Sequence, residues 1–461
     1  MTSAPRRRAA AAATLLLAGA LACATYSDRT QAARDAAQAG NLEGGERAIN
    51  KALGLHKSEE LPTKWKSETG LGLLERAMIL HALGHYKLSS RDLTAAEKQL
   101  ELLDIARDGA GTLGKYVFSD ASTKYKTPPT EKLALNAYNM LNYLALGDLD
   151  GAKVEARRFT VIRRYYADHD PENAHGAFGS YLAGYVFERL GDEGEALRYY
   201  EEALQERTFD QLRAPIARMH ARAGVEGPRI RALLAEGTGS AGGPEGGSAA
   251  APAPAPEAEL LVVLNVGRVP YKVPKRIPIG AAVGLGAAYI TGDTTVLEHS
   301  LFKVVVYPDL AESGDLFDHG RLAVDGQSYP LELVTDMGVE IAREYDELRP
   351  KIIGAAISRL IVRAVAAEGA RAAGKQSKNN SGLVGFLAAA AVEGAMVAAD
   401  KPDTRSWTML PARVYVARIP LAPGHHVVTL DAAGPGGREG RKAEVDIPAG
   451  GFAVLDVTTL R

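Results

Sequence analysis

Cysteine is almost missing from this chain, with one residue, Cys23, in 461. A single thiol excludes an intramolecular disulfide and leaves no second cysteine for a zinc site. An excess of one charge is missing as well. The 54 Lys and Arg are balanced by 56 Asp and Glu, a formal net charge of −2, so nothing suggests the cationic surface that neutralising many phosphates requires. Nucleic acid is not an expected partner. Long apolar runs are also scarce, since residues 9–20 and 382–399 both fall short of the roughly 20 residues a spanning helix needs. The second run is Gly-rich and broken by Glu393. Enzyme signatures are absent too: there is no Gly-x-Ser-x-Gly elbow and no His-Glu-x-x-His pair, "VGLGAA" lacks the last glycine of a dinucleotide loop, and the ten histidines are scattered. No catalytic residue, metal site or cofactor is expected. What remains is ordinary globular composition, 46% hydrophobic and 24% charged, with length for two or three domains.

The lone cysteine sits in a telling context. Arg6, Arg7 and Arg8 form a basic leader, Ala9–Ala20 an apolar stretch, and Gly19-Ala20-Leu21-Ala22 brings small and apolar residues up to Cys23. This resembles a bacterial lipobox, which implies cleavage before Cys23, lipidation of its thiol and residues 1–22 as a signal peptide. The alternative is an ordinary signal peptide with an incidental cysteine. Ala24 stands where an Asp usually retains lipoproteins in the inner membrane, so the resemblance implies the outer membrane, facing the periplasm.

Residues 23–236 read as all-helical. In "AGYVFERLGDEGEALRYYEEAL", Ala183, Gly184, Phe187, Gly191, Ala196, Tyr200 and Ala203 match a tetratricopeptide repeat in offset and type. Small residues let paired helices approach, Gly191 supports the turn, and Phe187 and Tyr200 fill the groove. "LNYLALGDLDGAKVEARRF" repeats the pattern at Tyr143, Gly147, Ala152, Ala156 and Phe159, and "AGNLEGGERAINKAL" more weakly at Gly40, Gly45, Ile49 and Ala52. Turns are expected at Gly40, near Arg91, at Gly147 and at Gly191, with Asp92 as a helix N-cap. These intervals exceed the usual unit of about 34 residues, so the array is degenerate. Its concave face is expected either to bind a partner segment or to pack on the second half. Asp168, His169, Asp170, Glu172 and His175 cluster before a helix and read as a solvated turn rather than metal ligands.

"GTGSAGGPEGGSAAAPAPAPEA", residues 237–258, is a linker without core-forming residues. Residues 259–461 then switch to strand periodicity in "ELLVVLNVG", "LFKVVVYP", "YPLELV", "ARVYVARIPL", "HHVVTLDA", "KAEVDIP" and "FAVLDVTTL". The last four read as an antiparallel sandwich. His425 and His426 point to opposite faces of one strand and make a poor chelating pair. A helical insertion, 336–399, interrupts the strands. Ile353, Ile357, Leu360, Ile361 and Val365 share one face of it while Arg359, Arg363 and Arg371 keep to another. The apolar 382–399 segment is expected to pair with this helix and cover the sheet, or else to touch membrane or self-associate. The fold class is therefore α+β multidomain: TPR-like helical repeats, then a β-sandwich-like domain with a helical insertion.

"LNYLALGDLDGAKVEARR", "SYLAGYVFERLGDEGEALRYYEEAL" and above all "DTRSWTMLPARVYVARIPLAPG" resemble a family of Gram-negative envelope lipoproteins without assigned catalytic residues. In the last segment Asp403 and Arg405 are expected to form an ion pair and Trp407 to anchor the helix-to-sheet crossing. The resemblance implies a lipid-anchored periplasmic protein; relatives are associated with lipoproteins that activate penicillin-binding proteins, which implies a role around peptidoglycan synthesis. The expected function is a scaffold, tethered to the membrane through lipid on Cys23, whose repeats bind envelope proteins. The alternatives are a self-assembling homo-oligomeric envelope component, or a hydrolase whose site is assembled from distant residues.

Overall fold

The computed structural model describes residues 25–100, 125, 127–171, 175–224, 227–238, 258–299, 304–375 and 402–461. The N-terminal half is helical: α1 (Tyr26–Gln38), α2 (Leu42–Leu53), α3 (Thr69–Ala82), α4 (Tyr86–Gln99), α5 (Pro129–Ala145), α6 (Leu149–His169), α7 (Ala177–Arg189), α8 (Glu193–Leu204), α9 (Arg213–Ala223) and α10 (Pro228–Thr238). The C-terminal half carries the sheets, so the fold is mixed α and β.

Successive helices pair through one recurrent turn. At its first copy the Asn41 amide donates to the Ala36 carbonyl and the Gly40 amide to Ala37, at 2.8 and 2.9 Å. Such a turn needs a left-handed residue after the helix, which glycine adopts without a Cβ penalty. Gly40, Gly84, Gly147 and Gly191 hold that place with φ of 75°, 77°, 72° and 77°. The next residue then starts the following helix: Asn41, Asp148 and Asp192 accept from the amides of Gly44, Gly151 and Glu195. The second turn therefore lies at Gly84, not near Arg91. Asp92 is not an N-cap but a buried residue of α4, where its carboxylate meets Arg76 Nε at 2.5 Å. An Arg buried inside α3 requires a charged partner, and that need outweighs the capping preference of Asp92. In the fourth pair Gly184 lies under the Tyr200 ring, where a Cβ would come within 2.5 Å.

From the second pair on, the first helix of each pair is the inner one. Every residue of α3 is buried, as is α7 from Ala177 to Phe187, whereas α2, α4 and α6 bury one stripe. A helix apolar all round needs cover on both sides. One side is the outer helices. The other is the chain's own β half.

The strands are β1 (Ala258–Val266), β2 (Tyr271–Pro278), β3 (Val304–Ala311), β4 (His319–Val324), β5 (Gln327–Tyr329), β6 (Glu332–Asp336), β7 (Arg413–Leu421), β8 (Gly424–Gly434), β9 (Gly437–Ile447) and β10 (Phe452–Thr459). One sheet has the order β10-β1-β7-β6 and another β5-β4-β8-β9. Strand β1 is buried on both faces, with Leu261 and Val263 in the core shared with the helices and Leu260, Val262 and Leu264 in the core shared with the second sheet. This is why its sequence is a continuous apolar run rather than an alternation. The order of layers is helices, first sheet, second sheet.

The last four strands depart from the antiparallel expectation. Only β8 and β9 form a hairpin; β7 and β10 belong to the other sheet, and β10 pairs with β1 in parallel, Glu259 opposite Phe452 through Val266 opposite Thr459. Strand β2, "YKVPKRIP", carries two prolines and three cations and pairs only with β3, which suits proline's preference for edges. A short helix, α11 (Ile279–Gly286), and the 39-residue α12 (Met337–Lys375) pack on that pair. Along α12, Ile353, Ile357, Leu360 and Ile361 are buried with Ala364, while Val365 is 53% exposed and leaves the expected face. Cys23, the signal segment, linker residues 239–257 and the 382–399 run lie outside the described residues.

Candidate functional site

The segment 402–412, which carries Asp403, Arg405 and Trp407, passes between the helical half and the first sheet. Trp407, Met409 and Leu410 are fully buried in the core that spans both halves. Arg405 donates from Nε to Asp403 Oδ1 and from Nη2 to Oδ2, both at 2.7 Å, and the Ser27 amide of α1 donates to Thr404 Oγ1 at 3.2 Å. Three successive backbone amides of an irregular buried segment need acceptors, and two carboxylates supply them. The Trp407 amide donates to Glu131 Oε1 at 3.0 Å. The Thr408 amide and hydroxyl both donate to Glu75 Oε1 at 2.9 Å, and the Met409 amide to Glu75 Oε2 at 2.7 Å. Burial pushes the Glu75 carboxyl up to about 7, against the pull of the Thr408 and Met409 donors. Glu131 is raised by burial as well, and accepts from the Tyr125 hydroxyl at 2.5 Å. A third acid, Glu344 of α12, accepts from the Thr130 amide and hydroxyl at 2.9 and 2.6 Å and so caps the N-terminus of α5; burial lifts it to about 8. All three serve as acceptors for buried backbone donors. The arrangement joins elements together and presents no reacting atom to solvent.

Two further polar clusters join the halves. His81 Nε2 of α3 lies 2.8 Å from Asp456 Oδ2 of β10, with side-chain exposures of 0% and 1%. The amide nitrogen of Asn142 donates to Ser89, which leaves its oxygen to accept from His81 Nδ1 at 2.8 Å. Burial works against the imidazolium, but the Asp456 carboxylate outweighs it and the His81 pKa is raised. One ring nitrogen faces the Asn142 oxygen and the other the Asp456 carboxylate, so the pair bridges α3, α5 and β10. In the other cluster Arg418 of β7 donates from Nη2 to Glu188 of α7 and from Nε to Glu259 of β1, each at 2.8 Å.

The remaining sequence candidates are scattered. His169 stacks on Tyr165 with 4.3 Å between ring centroids, His175 faces Glu340 at 3.5 Å, and Glu172 lies outside the described residues. His425 meets Asp446 at 3.0 Å and His426 meets Asp325 at 2.7 Å. No group of three or more metal-ligating side chains occurs among the described residues, and no described helix is long and apolar enough to cross a membrane.

With the inner helices covered, a concavity remains on the outer side of the array among the described residues. A cleft of about 530 Å³ runs along α4 between the 55–68 loop and the α5–α6 turn. Leu61, Trp65 and Leu146 line it with exposures of 37%, 38% and 39%, and Lys87 and Lys98 stand on its lining. No known protein family, curated protein or solved structure matches the chain. The buried acids and this cleft are the features that pattern reading missed. "GLGLLERAMILHA" did carry a signal for one of them, because a Glu-Arg pair inside a helix that is apolar all round must find buried partners.

Proposed function

We propose that the chain is a lipid-anchored periplasmic adaptor of the bacterial envelope. In this reading the helix pairs are a degenerate TPR-like array, the two four-stranded sheets are a sandwich-like domain, and Cys23 carries the lipid that tethers both to the outer membrane. The observation that carries the proposal is the occupation of the inner helices by the chain's own first sheet. An array whose inner face is filled internally offers partners its outer surface, and the apolar cleft along α4 is the concavity there. The resemblance of the 403–424 stretch to envelope lipoproteins points to the process, envelope assembly around peptidoglycan synthesis, with protein partners and no catalytic group.

Two measurements in cells test it. Cys23→Ser is expected to move the chain from the membrane fraction to the soluble periplasmic fraction or to leave it unprocessed; unchanged membrane association of that variant overturns the anchor. A photo-crosslinking amino acid in place of Thr94, on the cleft lining, is expected to capture an envelope protein that the same probe in place of Arg441 on β9 does not. Deleting the helical half is not a usable control, since its core is shared with the sheets. Equal capture at both positions, or none at Thr94, overturns the adaptor reading.

A further inference from the structure

The cleft along α4 has a chemistry that narrows its occupant, given the adaptor reading above. Lys87, Arg91, Thr94, Ala95 and Lys98 fall at i, i+4, i+7, i+8 and i+11 of one helix and therefore share a face, and all five line the cleft. At 1.5 Å per residue the two lysines are about 16 Å apart. Arg91 is occupied, since its guanidinium donates to the Ser58 carbonyl, to the Glu59 carbonyl at 2.7 Å and to Asp92 at 2.7 Å. Asp148, the acid of the lining, is occupied too: its carboxylate accepts the Gly151 amide at 2.8 Å and caps α6. Lys87 and Lys98 are exposed and make no ion pair among the described residues. The lining thus offers apolar surface from Leu61, Trp65, Leu146 and Ala95, with two exposed cations that make no ion pair among the described residues.

The backbone of the floor matters as much as its side chains. The floor is an α-helix, whose amides and carbonyls are already bonded within it, so an incoming strand would find no edge to pair with. An occupant that buries itself there has to satisfy its own backbone, and a helix does so.

We infer that the cleft receives an amphipathic helix of a partner protein, with apolar residues along one stripe and an acidic residue at each end of it, about eleven residues or three turns apart. The acids meet Lys87 and Lys98, and the stripe packs over Trp65 and Leu146.

The test uses the full mature chain in detergent and two fluorescein-labelled helical peptides with the same leucine stripe, one with Glu and one with Lys at the two end positions. Fluorescence anisotropy at about 0.1 M salt is expected to show the acidic peptide binding about tenfold tighter, because two rim ion pairs each add a modest increment and steer association. Lys87→Glu with Lys98→Glu is expected to reverse that preference, and Leu146→Asp to weaken both peptides at least tenfold while the thermal midpoint stays unchanged. Equal binding of the two peptides, or a preference that survives the charge reversal, overturns the inference. So does the absence of saturable binding by either peptide, the result expected if the chain's own residues 101–124 cover the cleft. The two proposals fail separately: capture at Thr94 in cells without a charge preference in vitro leaves the adaptor standing and removes the acidic helix. A charge-dependent peptide complex without capture at Thr94 does the reverse.

Discussion

Glu75→Ala is expected to destabilise the protein by about 3–5 kcal/mol, because it strands the buried Thr408 and Met409 amides and the Thr408 hydroxyl without their acceptor. Glu75→Gln separates shape from chemistry. Its oxygen can keep the Thr408 donors, but its NH₂ must then face the Met409 N–H, so a loss of about 1–3 kcal/mol is expected. The pH dependence has a definite sign. The folded-state pKa of Glu75 is raised from the ordinary 4.5 to about 7, so the folded state holds the proton more tightly and its contribution is fully present below 4.5 and lost as pH rises through about 7. Gln does not titrate. The stability gap between the native protein and Glu75→Gln, measured by denaturant unfolding, should therefore be widest near pH 4 and narrow toward pH 8. A gap that widens with pH would show that Glu75 is held as the anion.

Arg418→Met carries the second large effect. Arg418 is buried between Glu188 and Glu259, and its removal leaves two carboxylates at the contact of β7, β1 and α7 to share Arg189, at 3.0 and 3.3 Å, as their remaining counter-charge. Breaking a buried pair on one side costs about 3–5 kcal/mol. Burial alone would raise Glu188, but Arg418, helped by Arg189 and the Tyr200 hydroxyl, holds it down at about 2. A depressed carboxyl pKa contributes stability that is present above the ordinary range near 4.5 and lost as pH falls through about 2. The deficit of Arg418→Met should thus be full at pH 7 and shrink as pH falls from about 4.5 to about 2. A constant deficit across that range would place its origin in lost side-chain packing instead, since the long Arg stem also covers apolar surface.

Much of the helical half was legible because its turns are written in residues with few substitutes. A glycine with φ near +75°, followed by Asn or Asp as the next N-cap, is a local signal, and it located three of the four recurrent turns. The fourth escaped because His85 follows Gly84 and gives no side-chain cap, while the Asp92 that looked like one is drawn inward by Arg76. The strands of the first sheet were legible as apolar runs, yet their pairing was not. Whether β10 meets β9 in a hairpin or β1 in parallel depends on contacts some 190 residues apart, such as Asn265 Nδ2 donating to Asp456 Oδ1 at 2.8 Å. The same distance hid the role of the 403–409 segment. Asp403 and Arg405 are close in sequence and could be paired on paper, whereas the acceptors of the Trp407, Thr408 and Met409 amides come from α3 and α5. What the inner helices pack against is non-local as well, since they are apolar on faces that only the sheet layer explains.

Helices and sheets form one folding unit, with the first sheet seated against the inner helices. The most direct measurement introduces a specific protease site into the 239–257 linker, cuts it to completion and follows the nicked protein by size-exclusion chromatography and thermal unfolding. The two pieces are expected to co-elute at the mass of the intact chain and to unfold in one transition. Separate elution of the pieces, or two independent transitions, would contradict it.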